Sequence, residues 1–212
     1  MRIKALLVAV AAFACFVALG MFVVRQGEAA ALLAWEQSLL DHSTLVAWWI
    51  TWSCLRQALF PLAIVLLIVA WRVPQWRARI LFSLVVLFFC WRGADLFQHV
   101  FARPRPAHWV VKHETAFSYP STHAAIAAGF YGLWAVMLYA SDLPRWVRVS
   151  AASLLGLFAV AICWSRLALG AHYFTDLLGG ALLALTIVSL ARAVVPVRLF
   201  GPLAGRVSAA AE

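Results

Sequence analysis

"SRLALGAHYFTDLLGGALLALTIVSLARAVV", residues 165–195, decides the solvent in which this chain folds. No residue between Asp176 and Arg192 is charged, and the run 174–195 is long and apolar enough to cross a bilayer as a helix. The stretch just before it carries Arg166, His172 and Asp176. Charges beside hydrocarbon are costly and are kept where they have partners or work to do.

The rest of the chain reads the same way. Of its 212 residues 66% are hydrophobic and only 12% charged, and the mean hydropathy is +0.93. A soluble domain is nearer half apolar and a quarter charged, so this is an integral membrane protein. Further apolar runs lie at about 5–24, 58–71, 80–97, 123–140 and 147–165, giving six spans with 174–195. Long runs without alternation are helices, since lipid leaves no other partner for the backbone. The expected fold is therefore all-α, a six-transmembrane-helix bundle formed by one domain, 1–212, with a loosely ordered tail at 197–212. The span at 58–71 is crowded at its start by Arg56 and Pro61, and an earlier start in the Trp48–Trp52 cluster is the alternative. Residues 25–55 read as a mixed interfacial helix lying along the membrane surface. "MRIK" followed by an apolar run also fits a cleavable signal peptide with a small-residue site at 29–31; the length of the run favours a retained helix.

Six spans put both termini on one side. That side holds ten Lys or Arg against Asp142 and Glu212, whereas the other holds seven against six acids. By the positive-inside rule both termini are cytoplasmic. The net charge of +9 is scattered between apolar runs rather than gathered in a stripe, which argues against a nucleic-acid partner. Cys15, Cys54, Cys90 and Cys163 lack metal-ligand spacing and read as small buried hydrophobes.

Three polar clusters then fall on the outer face, each at a helix end: "QHVFARPRPAHW" (98–109), "YPSTHAA" (119–125) and "SRLALGAHYFTD" (165–176). In the second, Pro120 leads to a helix start with Ser121 or Thr122 as N-cap, where free N–H groups favour an anion and His123 can deliver a proton. In the third, Arg166 has the planar fork that suits phosphate oxygens, and a helical His172/Asp176 spacing would put both on one face. A carboxylate at Nδ1 would leave Nε2 of His172 as a nucleophile. In the first, Arg103 and Arg105 are stiffened by Pro104 and Pro106. Each cluster alone also reads as capping, an interfacial ion pair or a headgroup-contacting loop. Together they describe an oxyanion site.

In order and separation, Arg105-Pro106, "PSTH" at 120–123 and SR-x5-H-x3-D at 165–176 resemble the three-part signature of the type 2 phosphatidic acid phosphatase superfamily, which also includes vanadium haloperoxidases. The resemblance implies a metal-independent, cofactor-free membrane phosphatase acting on a lipid phosphate. It implies that His172 is the nucleophile oriented by Asp176, that His123 is the acid and then the base, and that Arg105, Ser121, Thr122 and Arg166 bind phosphate. Two positions depart from the pattern. Thr122 stands where the family has glycine, and Gln98 where it has a lysine seven residues before Arg105. Gln98 itself, or a cation from Arg103, Lys112 or Arg92, would then complete the phosphate site. Outer-leaflet location favours a polyprenyl diphosphate such as undecaprenyl diphosphate at a bacterial inner membrane. Phosphatidylglycerol phosphate, phosphatidic acid and lipid A phosphates compete with it. A phosphotransferase with the same intermediate, or a headgroup-binding scaffold or transporter, are the other readings. His42, His99, His108 and His113 receive no role.

Overall fold

Because a bilayer offers the backbone no hydrogen bonds, the apolar runs close their own as helices. The computed structural model describes residues 2–40, 44–107 and 116–195, which are helical wherever they are regular. The tail at 197–212 and Lys112 lie outside the described residues. In order come α1 (Arg2–Gln26), α2 (Ala30–Ser38), α3 (Thr44–Trp52), α4 (Arg56–Arg72), α5 (Pro74–Phe101) and α6 (Thr122–Ile126). A π-helical turn (Ala127–Gly132) leads into α7 (Leu133–Tyr139), followed by α8 (Arg145–Ala168) and α9 (Phe174–Val194). Among the described residues five units are long and apolar enough to cross a membrane: α1, α5, the α6–α7 unit (Thr122–Tyr139), α8 and α9. A sixth arises when α3 and α4, bent by 42° at their junction, are taken together.

The lipid-facing surface is visible in what is left uncovered. On α8, Leu154, Leu157 and Val160 are about two-thirds exposed, at 68%, 68% and 66%. An apolar surface of that extent belongs in hydrocarbon.

The stretch 25–55 is not one interfacial helix. Gly27, at φ +75°, ends α1, and α2 and α3 follow as separate pieces. Ala47 and Thr51 sit one turn apart on α3 and are buried, while Trp48, Trp49 and Trp52 face outward. The small side chain of Ala47 packs with Ala168, Leu169 and Ala171, so α3 is drawn into the bundle. Taken together with α3, the second span begins before Arg56, and Pro61 is held inside α4.

Aromatic packing fixes α1 and α5 around the approach to α6. Phe16 meets Phe97 edge-on at 4.9 Å and stacks on Tyr119 at 5.5 Å, and the Tyr119 hydroxyl donates to the Phe16 carbonyl at 2.6 Å. On α9, a Cβ at Gly180 would stand 2.5 Å from the Ser121 carbonyl oxygen. Glycine there lets α9 abut the start of α6, and the Ser121 amide donates to the Asp176 carbonyl at 3.0 Å. The second and third polar clusters are thereby locked together.

Candidate active site

The α8–α9 turn delivers His172. The helix ends in a Schellman motif: Gly170 takes φ +64°, its amide donates to the Leu167 carbonyl at 2.8 Å, and the Ala171 amide donates to Arg166 at 2.9 Å. The chain folds back over its own helix end, and α9 starts only at Phe174. The His172–Asp176 contact is therefore not the expected pairing along one helical face. Asp176 sits at the third position of α9 and reaches back to cap the Tyr173 amide at 3.0 Å. The same Oδ2 lies 3.4 Å from His172 Nδ1.

Arginine carries donors only, and Arg105 Nη1 stands 3.1 Å from His172 Nε2. The ring must therefore accept at Nε2, which leaves its proton on Nδ1, facing Asp176 and the Ser118 hydroxyl. Arg105 is held in turn by the carbonyls of Ala116, Phe117 and Ala171, at 2.7, 3.2 and 2.9 Å. The result is an imidazole with its Nε2 lone pair turned toward a fixed guanidinium.

His123 lies in the first turn of α6, buried, with Nε2 lacking a hydrogen-bond partner among the described residues. Its other nitrogen bonds the Thr51 backbone, and Arg166, His172 and Arg105 all act on it electrostatically. Arg166 is 1% exposed and donates to the Thr51 hydroxyl at 3.1 Å, which is also 3.0 Å from the hydroxyl of Ser165. Ser121 is the N-cap, its hydroxyl accepting from the Ala124 amide at 3.4 Å, and Thr122 is the first helical residue.

Two expected phosphate ligands face other partners. Gln98 donates through Nε2 to the Pro120 carbonyl at 3.0 Å and the Thr122 hydroxyl at 3.2 Å, so its amide holds the approach to α6. Arg103 donates to Asp176 Oδ1 at 2.6 Å and to Glu28 Oε2 at 2.9 Å, on the side of the acid away from His172. Arg92, another candidate for the missing cation, pairs with Asp95 at 2.9 Å on the outside of α5. His99 packs edge-on against Phe117; His42, His108 and His113 lie outside the described residues.

Several residues that build the site were not singled out from sequence. Ser118 donates to Asp176 Oδ2, Thr51 supports both Arg166 and His123, and Glu36 accepts the Phe174 amide at 2.6 Å. Burial pushes the Glu36 carboxyl up to about 7. A usable signal existed for Glu28 and Glu36, which are acids flanking an apolar stretch and needed partners as much as Asp176 did.

Residues 76–199, more than half of the chain, match the PAP2 superfamily. The chain is 33% identical over 103 residues to "Putative undecaprenyl-diphosphatase YbjG" of Escherichia coli (strain K12), covering 46% of each protein. It is 36% identical over 95 residues to phosphatidylglycerophosphatase B of Bacillus subtilis (strain 168), covering 42% of this chain and 45% of that one. The matches thus span about half the length of these relatives. A solved transmembrane PAP2-type phosphatidylglycerolphosphate phosphatase from Bacillus subtilis superposes with a TM-score of 0.67 at 24% identity, over 87% of this chain and 94% of that one. At that identity the likeness speaks for the fold.

Proposed function

The chain belongs to the PAP2 superfamily, and from that premise and the geometry of the polar cluster we propose that it is a membrane phosphatase releasing phosphate from lipid phosphates or diphosphates through a phosphohistidine. The contact that carries the reading is Arg105 Nη1 to His172 Nε2 at 3.1 Å, with Asp176 on the opposite ring nitrogen. His172 Nε2 forms a bond to phosphorus as the bond to the leaving oxygen breaks, and the ring becomes a cation that Asp176 stabilises. His123, entering the reaction with both ring nitrogens protonated, gives its Nε2 proton to the leaving oxygen. It then takes a proton from the water that attacks phosphorus, and the N–P bond breaks to free phosphate. Arg105, Arg166 and the backbone N–H groups around Ser121 and Thr122 bear the charge of the transferring group. Gln98 holds the Thr122 hydroxyl in place.

The positive-inside count supports cytoplasmic termini and a site at the outer face of the membrane, which in this proposal is a bacterial inner membrane. There a polyprenyl diphosphate such as undecaprenyl diphosphate is the favoured substrate, supported by the name of the Escherichia coli relative. The name of the Bacillus subtilis relative supports a second reading, phosphatidylglycerol phosphate. Phosphate release from a panel of purified lipid phosphates separates the two, with His172→Ala as control. Vanadate, a mimic of pentavalent phosphorus, is expected to inhibit, and EDTA to leave turnover unchanged. Inhibition by EDTA that magnesium reverses would remove the mechanism. Label appearing in an acceptor lipid rather than in free phosphate would make the protein a phosphotransferase.

A further inference from the structure

Glu28 has no counterpart in the chemistry above, yet it is among the most buried charges in the molecule. Its side chain is 1% exposed, and Arg103 and Asp176, the two groups it is linked to, are 3% and 0% exposed. Arg103 bridges the two carboxylates, Nη2 to Glu28 Oε2 at 2.9 Å and Nη1 to Asp176 Oδ1 at 2.6 Å. Thr175 closes the loop, accepting from Arg103 Nη1 at 2.8 Å and donating to Glu28 Oε2. The guanidinium carbon sits over the Tyr173 ring, 4.1 Å from its centroid. The positive φ of Gly27 turns the chain out of α1 to bring Glu28 there.

This arrangement is a poor device for stability. Two buried carboxylates share one cation, and Glu28 Oε1 is buried without a hydrogen-bond partner among the described residues. Desolvating such a cluster costs about as much as its attractions return, or more. Its geometry does suit the reaction. A lone Arg103 would neutralise Asp176 and weaken its hold on the imidazolium that forms at His172. With Glu28 on its other arm, the guanidinium fixes the position of Oδ1 while the cluster keeps a net negative charge, and Oδ2 stays turned toward His172 Nδ1.

We propose that Glu28, acting through Arg103, is a positioning residue for Asp176 that keeps the acid oriented and negative enough to stabilise a charged His172. The proposal rests on the phosphohistidine reading. The groups that face His172 and Asp176 are Arg105 and Ser118 from the loop segments, Arg103 and Glu28, Tyr173 at the start of α9, Glu36 from α2, and His123 and Arg166 from α6 and α8. Removing the Glu28 charge makes this surrounding more positive, so protonation of His172 in the free enzyme becomes harder.

The test is the pH profile of phosphate release by the full chain in detergent, for wild type, Glu28→Gln and His172→Ala. In Glu28→Gln, kcat is expected to fall roughly tenfold, the scale of one weakened charge-assisted hydrogen bond, with KM nearly unchanged. The acid limb of kcat/KM should move to lower pH. A folded Glu28→Gln with wild-type kcat and an unmoved limb overturns the proposal while leaving the phosphatase reading intact. Turnover surviving in His172→Ala overturns both. Should Glu28→Gln not fold, Arg103→Lys tests the same bridge, because an ammonium keeps the charge but lacks the fork. A folded Arg103→Lys should lose kcat at unchanged KM; unchanged kcat there overturns the proposal too.

Discussion

The Oδ1 side of Asp176 and its Oδ2 side each hold an arginine from the same loop and are finished differently. On the Oδ1 side, Arg103, Thr175 and Glu28 pair with one another in a closed, dry cluster. On the Oδ2 side, His172, Arg105, His123 and Arg166 converge, and His123 Nε2 is buried with no partner among the described residues. A buried polar group without a partner costs about 1–3 kcal/mol, a cost carried by Glu28 Oε1 on the first side and by His123 Nε2 on the second. Pairing on one side holds the acid still. On the other, the cations Arg105 and Arg166 converge with His172 beside a His123 Nε2 that has no partner among the described residues, an arrangement that suits an anion with several acceptor oxygens.

The largest expected way to break this contrast is Arg105→Lys. Lysine keeps the charge but cannot hold three carbonyls and also meet Nε2 of His172, so kcat should fall on the order of 100-fold, read as phosphate release under saturating lipid. A loss confined to KM would show Arg105 to be a binding charge alone. Ser118→Ala comes next. Its hydroxyl donates to Asp176 Oδ2, and losing one bond to a charged group should cost about tenfold in kcat. If Ser118→Ala runs at the wild-type rate, Tyr173 and Arg103 alone suffice to hold the acid. The smallest effect is on stability. Burial raises Glu36 from 4.5 to about 7, so the folded protein binds that proton more tightly than the unfolded chain. Its contribution is complete below pH 4.5 and lost as pH rises through about 7. Over that climb the Tm of wild type should drop further than that of Glu36→Gln, measured by thermal unfolding in detergent. Parallel curves would mean that Glu36 does not titrate in this range.

The two sides also differ in how far they could be read before any coordinates. His172, Asp176, His123, Arg105 and Arg166 announce themselves, since charged or titratable groups at the ends of apolar runs have few other reasons to be there. The spans α1, α5, α8 and α9 were legible as apolar runs long enough to cross a bilayer, although the α1 run also fitted a signal peptide. The closed side was not. Glu28 is tied to a threonine 147 positions away and to an arginine 75 away, and no local spacing encodes such a pairing. Arg103 and Arg105 look alike in sequence, with a proline after each. The two arginines point to opposite sides of Asp176, and only the folded loop decides which one meets His172. Thr51 was hidden inside a tryptophan cluster that pointed to the membrane surface, although the buried face of α3 is made by its small residues. The expected His172–Asp176 face failed because Gly170 ends one helix and the next begins two residues after His172.

The account stands on the identity of the atom that takes the phosphoryl group. Full-length protein is mixed with a lipid phosphate labelled on its terminal phosphorus, quenched in base within a single turnover, and its peptides are sequenced by mass spectrometry. The prediction is a base-stable, acid-labile label on His172, absent from His172→Ala. Label on another residue, or rapid turnover by a protein in which His172 is never labelled, would contradict it.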